Sequence, residues 1–316
     1  MSARTRVYVV AAVAAALVVA AVVGIALFET RGESTTAPGA VTSPRPGVPP
    51  LFFDFGLRDN AEAKRLAHGA QLLRSGKRAQ AAAVFARDNS LQGRIGAAFA
   101  RWPDGSLDTM KQLVASHPHS PVAELHLALA LYWTGRDADA VKAFQRVDSQ
   151  FPDSPSAVQA EDILYADRFV PGLPVMLAPI DLPKAPTLVA QLERAKPSPL
   201  VYGVMLWRLD RRVSARQALD RAAAAAPNDP LVLTLAAVSH FTKKDPAAAF
   251  GRLGPLTGRF PRSSVVRLHL GELLLWEKQV KKALVQLRLA ARDEPRSVYA
   301  KEAKTLLSKL VPNGTK

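Results

Sequence analysis

Apolar and polar positions along this chain follow two different patterns. From Val7 to Phe28 no residue is charged, and a helix of that length covers roughly 33 Å, about the hydrocarbon thickness of a bilayer. Further on, a spaced pattern of small and large apolar side chains takes over. A small residue is followed twelve positions later by another in five places: Gly69 and Ala81, Ala128 and Ala140, Gly203 and Ala215, Ala237 and Ala249, Gly271 and Ala283. Four residues after each second member stands a large apolar one: Phe85, Phe144, Leu219, Leu253 or Leu287. In the last four units a proline comes twelve residues after the second small residue: Pro152, Pro227, Pro261 and Pro295.

This spacing predicts pairs of helices of about 14 residues, joined by short turns and lying antiparallel. Gly or Ala at the crossing lets the two backbones approach, and the neighbouring Leu and Phe fill the groove. Turn residues such as Ser75-Gly76-Lys77 and Thr134-Gly135-Arg136 sit between the members of a pair. Each closing proline stops one helix and allows the next unit to begin. Weaker patterns place helices near Leu91–Arg101 and Ser106–Ser116, and a last helix with a polar face over Val298–Leu310.

The small, small, large, proline framework resembles the tetratricopeptide repeat family, in its single-pass, membrane-anchored bacterial type. Ser263–Pro295 matches best, with Leu270, Gly271, Leu274, Ala283, Leu287, Ala290 and Pro295. The resemblance covers roughly two thirds of the chain and implies an all-α, right-handed α-solenoid of helix pairs. It also implies a groove lined by the first helix of each pair. Tyr132, Trp133, Trp207, Arg208, Phe241 and Trp276 fall at or beside the position that faces that groove, making them candidates for holding a partner; packing between neighbouring helices is the alternative. The family implies protein partners and no particular function.

Six segments follow. Residues 1–6 form a short N-terminus and 7–28 a transmembrane signal anchor, or a cleaved signal peptide, whose apolar region is ordinarily shorter. With Arg4 and Arg6 before the apolar run, the positive-inside rule places the N-terminus in the cytoplasm. The remainder then lies outside the cytoplasmic membrane. Residues 29–50 hold five prolines and read as a disordered spacer. Residues 51–167 form a first repeat block, opening on an apolar docking segment at Leu51-Phe52-Phe53. Residues 168–186, with five more prolines, cannot be one of the helices and form either a strap on the solenoid or a binding loop. Residues 187–311 form a second block with a capping helix.

Composition adds the partner class and removes several chemistries. Forty-two Lys and Arg against 27 Asp and Glu give a net charge of +15, which suits anionic lipid headgroups or an envelope polymer as well as a soluble surface. Nucleic acid does not fit a domain outside the cytoplasm. The absence of cysteine excludes disulfides, thiolate zinc sites and covalently attached haem. His117, His119 and His126 have no acidic partner at ligand spacing, so no metal and no cofactor are expected. No nucleophile elbow, phosphate loop or dinucleotide fingerprint is present, and the expected role is non-catalytic binding of protein partners.

Overall fold

The structure, a computed structural model, describes residues 43–55, 60–179 and 197–310. Among the described residues there are fourteen helices and no strand. They fall into two sets of seven. The first is α1 (Ala61–Arg74), α2 (Arg78–Phe85), α3 (Leu91–Ala100), α4 (Ser106–Ser116), α5 (Pro121–Trp133), α6 (Asp137–Gln150) and α7 (Pro155–Leu164). The second is α8 (Pro199–Arg208), α9 (Arg212–Ala225), α10 (Pro230–Ser239), α11 (Ala247–Arg259), α12 (Ser264–Trp276), α13 (Val280–Asp293) and α14 (Val298–Leu310). Each set consists of three packed pairs and one closing helix.

The boundaries follow local chemistry. Helices α5, α7, α8 and α10 all begin with proline at the first helical position, behind a Ser or Asp whose side chain accepts a backbone N–H of the first turn. That proline lacks only an N–H that would have had no partner. Inside five of the six pairs the second small residue is fully buried: Ala81, Ala140, Ala215, Ala249 and Ala283. A Cβ built on Gly69 would come within 2.6 Å of the Phe85 ring, and so would one on Gly96. Phe85 is therefore clamped between two glycines of neighbouring helices. Gly203 against Leu219 repeats the arrangement, with its built Cβ at 2.6 Å.

Each set has its own core, and the halves meet through a polar seam. The Asp153 carboxylate, in the turn before α7, accepts the backbone N–H groups of Val213 and Ser214 at 2.8 and 2.9 Å. It caps α9, whose own N-terminus carries no side-chain cap. Arg212 is buried, pairs with Glu161 at 2.7 Å and with Asp148, and donates to the Pro152 carbonyl. Lys243, 2% exposed, pairs with Asp162.

Two expectations are corrected. Within the disordered spacer expected over 29–50, Arg45 and Val48 pack on the first half and Pro49 is buried. Prolines favour an extended chain, and an extended chain can dock as well as dangle. The second correction concerns localisation. Among the described residues no helix is long and apolar enough to cross a membrane, so a single-pass protein of the cytoplasmic membrane is unsupported. The segment 7–28 that carried that expectation lies outside the described residues.

Candidate functional site

Ahead of each set of seven helices runs an extended segment that lies across the first helices of its pairs. The first strap comprises residues 43–55. Its Arg45 N–H donates to the Trp133 carbonyl at the end of α5, at 2.9 Å. The Arg45 guanidinium pairs with Asp137 at 2.6 and 3.1 Å and lies 3.4 Å over the Tyr132 ring. Seven residues on, the Phe52 N–H donates to Nε2 of His126 at 3.2 Å. Phe53 then meets the Phe85 ring edge to face, with centroids 6.2 Å apart.

The register explains a glycine. Seven extended residues would cover about 23 Å, whereas the seven helical residues from His126 to Trp133 rise about 10 Å. The strap takes up the difference at Pro46–Gly47, where Gly47 adopts φ +84°. A Cβ there would meet nothing within 4 Å, so glycine serves for its backbone conformation and not for space.

The second strap, residues 168–179, runs over α8, α12 and the turn after α10. Phe169 is buried edge to face against Phe241, the Pro174 carbonyl accepts the Trp207 indole N–H at 2.8 Å, and Met176 and Ala178 are buried. The Val170 N–H donates to the Trp276 carbonyl at 3.3 Å, and the Leu177 N–H to Nε2 of His269 at 3.2 Å. Gly172 also has φ +84°, and its N–H donates to the Asp162 carboxylate at 2.9 Å.

The histidines carry the electrostatics of both grooves. His126 and His269 place Nδ1 at 2.7 and 2.8 Å from the carbonyls of Val122 and Val265. That contact fixes the proton on Nδ1 and leaves Nε2 as the acceptor. Burial pushes both rings down to about 4, so they are neutral at ordinary pH and able to receive an amide. His126 faces the Phe53 and Phe99 rings; His117 and His119 lie apart from it, on the turn after α4. Among the described residues no group of three or more potential ligands could hold a metal ion.

The aromatic positions singled out in the sequence are thus divided between two grooves, and the chain itself fills both. Tyr132 and Trp133 touch the first strap. Trp207, Phe241 and Trp276 are buried under the second, at 3%, 1% and 6% exposure. Arg208 lies elsewhere, in a cleft of about 290 Å³ between the halves, walled by Phe52, Phe53, Leu125, Gln159 and Asp210. Its side chain is exposed there and has no ion pair or hydrogen bond among the described residues, and desolvation by the cleft walls lowers its pKa. Burial, reinforced by Asp162 and Asp54, pushes the Asp210 carboxyl up to about 6. Several other basic residues of this region are already engaged: Arg211 pairs with Asp54 at 2.9 Å, and Arg212 and Lys243 belong to the seam.

His126 and His269 as paired anchors were not identified from sequence. The signal was present twice: Leu125-His126-Leu127 with Trp133, and Leu268-His269-Leu270 with Trp276.

Residues 100–160 match the tetratricopeptide repeat family, which covers α4 to α6 and the start of α7. No curated protein matches. Among solved structures, the crystal structure of the yeast Tom70 is 14% identical, over 83% of this chain and 66% of that chain, with a TM-score of 0.30. That likeness is too weak to bear on fold or function. The fourteen helices of the described residues fit an α-solenoid, the tetratricopeptide match covers residues 100–160, and folds of that kind are typically non-catalytic interaction modules.

Proposed function

We propose that this chain is a protein–protein interaction scaffold that holds extended segments of its partners, in the manner of a chaperone-like module. One observation carries the reading. Both rows of first helices already hold an extended peptide through its backbone, by an amide to a helix-end carbonyl and an amide to a buried imidazole. A surface that satisfies the backbone of a segment in this way is suited to peptides as a class, with pockets for alternate side chains setting preference. The cleft holding Arg208 adds an open concavity beside the first strap, where a partner's chain could continue.

The test is photo-crosslinking in cells with the full chain, placing the reactive residue at Gln159 in the cleft wall or at Lys142 on the exposed face of α6. Discrete adducts from position 159 and none from position 142 are expected. Identical patterns from both positions, or none from either, would sink the scaffold reading.

A further inference from the structure

The two straps share a sequence as well as a place. Pro46-Gly47-Val48-Pro49 and Pro171-Gly172-Leu173-Pro174 align residue for residue. Arg45 corresponds to Val170 and Phe52 to Leu177, the residues whose amides reach the tryptophan carbonyl and the histidine in each half. The receiving helices match too, since seven residues separate His126 from Trp133 and His269 from Trp276. Both tryptophans also bury their indole N–H without an acceptor among the described residues. Among the described residues each half is thus an extended strap followed by seven helices.

Everything else in the two grooves differs. The first is lined by Phe85, Phe99 and Tyr132, the second by Trp207, Phe241 and Tyr299. What the two retain in common is the backbone register, the glycine at φ +84° and the two prolines that flank the bend. These are the features of a recognition code, in which one prolyl residue sets the entry, a glycine permits the bend, and two amides seven residues apart are read by carbonyl and imidazole.

We propose that each groove is a reader of extended segments carrying Pro-Gly-(Val/Leu)-Pro, with an aliphatic or aromatic residue three positions beyond. The resident straps are its in-chain ligands. A separate partner protein bearing this pattern is the occupant of the N-terminal groove when the strap of residues 43–55 leaves it. The inference deepens the scaffold reading by naming the partner's chemistry, and rests on it for a role in cells. The N-terminal strap is the exchangeable one, because it lies ahead of both sets of helices in the chain, whereas the second runs between α7 and α8.

The test uses the full chain with its first strap erased by P46S, G47S, V48S, P49S, F52S and F53S, its helix content checked by circular dichroism. A fluorescent peptide of residues 168–179 should bind this variant at least about tenfold more tightly than a shuffled peptide of the same composition. Wild type should bind it at least about tenfold more weakly than the variant does. Equal binding of native and shuffled peptides, or no binding by a folded variant, overturns the proposal. A second variant needs no vacant groove: residues 45–52 of the full chain are replaced by the order found at 170–177, or by the shuffled order. The grafted chain should melt close to wild type and the shuffled one clearly lower; equal losses overturn the shared code. A wild-type chain that runs as a strap-exchanged dimer would assign the groove to a second copy and overturn the separate partner. Absence of crosslinks in cells would remove the scaffold role and leave the peptide measurements standing.

Discussion

The Glu161 carboxylate, on the last helix of the first half, meets the Arg212 guanidinium, in the first turn of the second, at 2.7 Å, with side chains 2% and 7% exposed. Burial raises the Glu161 carboxyl above the usual range even beside that cation. The pair is thus held at a desolvation cost that only both partners together offset. Arg212→Met should destabilise the chain by about 3–5 kcal/mol, because an uncompensated carboxylate is left inside. Arg212→Met combined with Glu161→Gln should cost clearly less than the sum of the two single changes. Urea unfolding of the three variants measures this, and strict additivity would show that the two groups do not act as a pair.

Phe85, clamped between Gly69 and Gly96, sets a second expectation. Gly69→Ala places a methyl where the ring already sits, so it should cost about 1–3 kcal/mol despite the better helix propensity of alanine. Adding Phe85→Leu should recover part of that loss by opening the same space. Thermal melts of the single and double variants decide it, and an unchanged or raised melting temperature for Gly69→Ala would contradict the clamp.

Asp153 caps α9 from the other half, accepting two backbone N–H groups and the Ser214 hydroxyl at 2.6 Å. Asp153→Ala should cost about 1–2 kcal/mol. Hydrogen exchange should speed up at Val213 and Ser214 while the start of α5, capped by its own Ser120, is unaffected. Equal acceleration at both helix starts would mean that the cap is not specific.

The histidines predict a pH dependence of definite sign. His126 and His269 titrate near 4 in the fold against 6.5 in the unfolded chain, so protonation favours unfolding. Their contribution is fully present above about pH 6.5 and is lost as pH falls toward 4, by up to about 3 kcal/mol per ring. Protonated Nε2 would also face a strap amide donor to donor. Wild type should therefore lose more stability between pH 7 and pH 5 than a His126→Gln, His269→Gln variant does. Parallel losses would contradict it.

The helix pairs were legible because their cause is local and repeated. Gly69, Ala81, Gly203 and Ala215 have to be small for two backbones to cross, and that need leaves a fixed spacing in the sequence. The second strap was legible as one of two readings of residues 168–186, whereas the first was hidden because Pro46 and Pro49 have the composition of a spacer. Whether such a segment is free or docked depends on Phe85, Trp207 and two histidines far away in sequence. The aromatic residues were found by position in the repeat, but their covering by the chain itself could not be read from one helix at a time. Only a comparison of one half with the other, strap with strap and Leu-His-Leu with Leu-His-Leu, carries that information.

Both grooves are closed by the chain's own backbone, and amide hydrogen exchange of the full chain at Phe52 and Leu177 measures that closure. Both amides should exchange at least about a hundredfold more slowly than in free peptides. Protection at Phe52 alone should be lost in His126→Ala, and at Leu177 alone in His269→Ala. Exchange of both amides at free-peptide rates in the folded wild-type chain would contradict it.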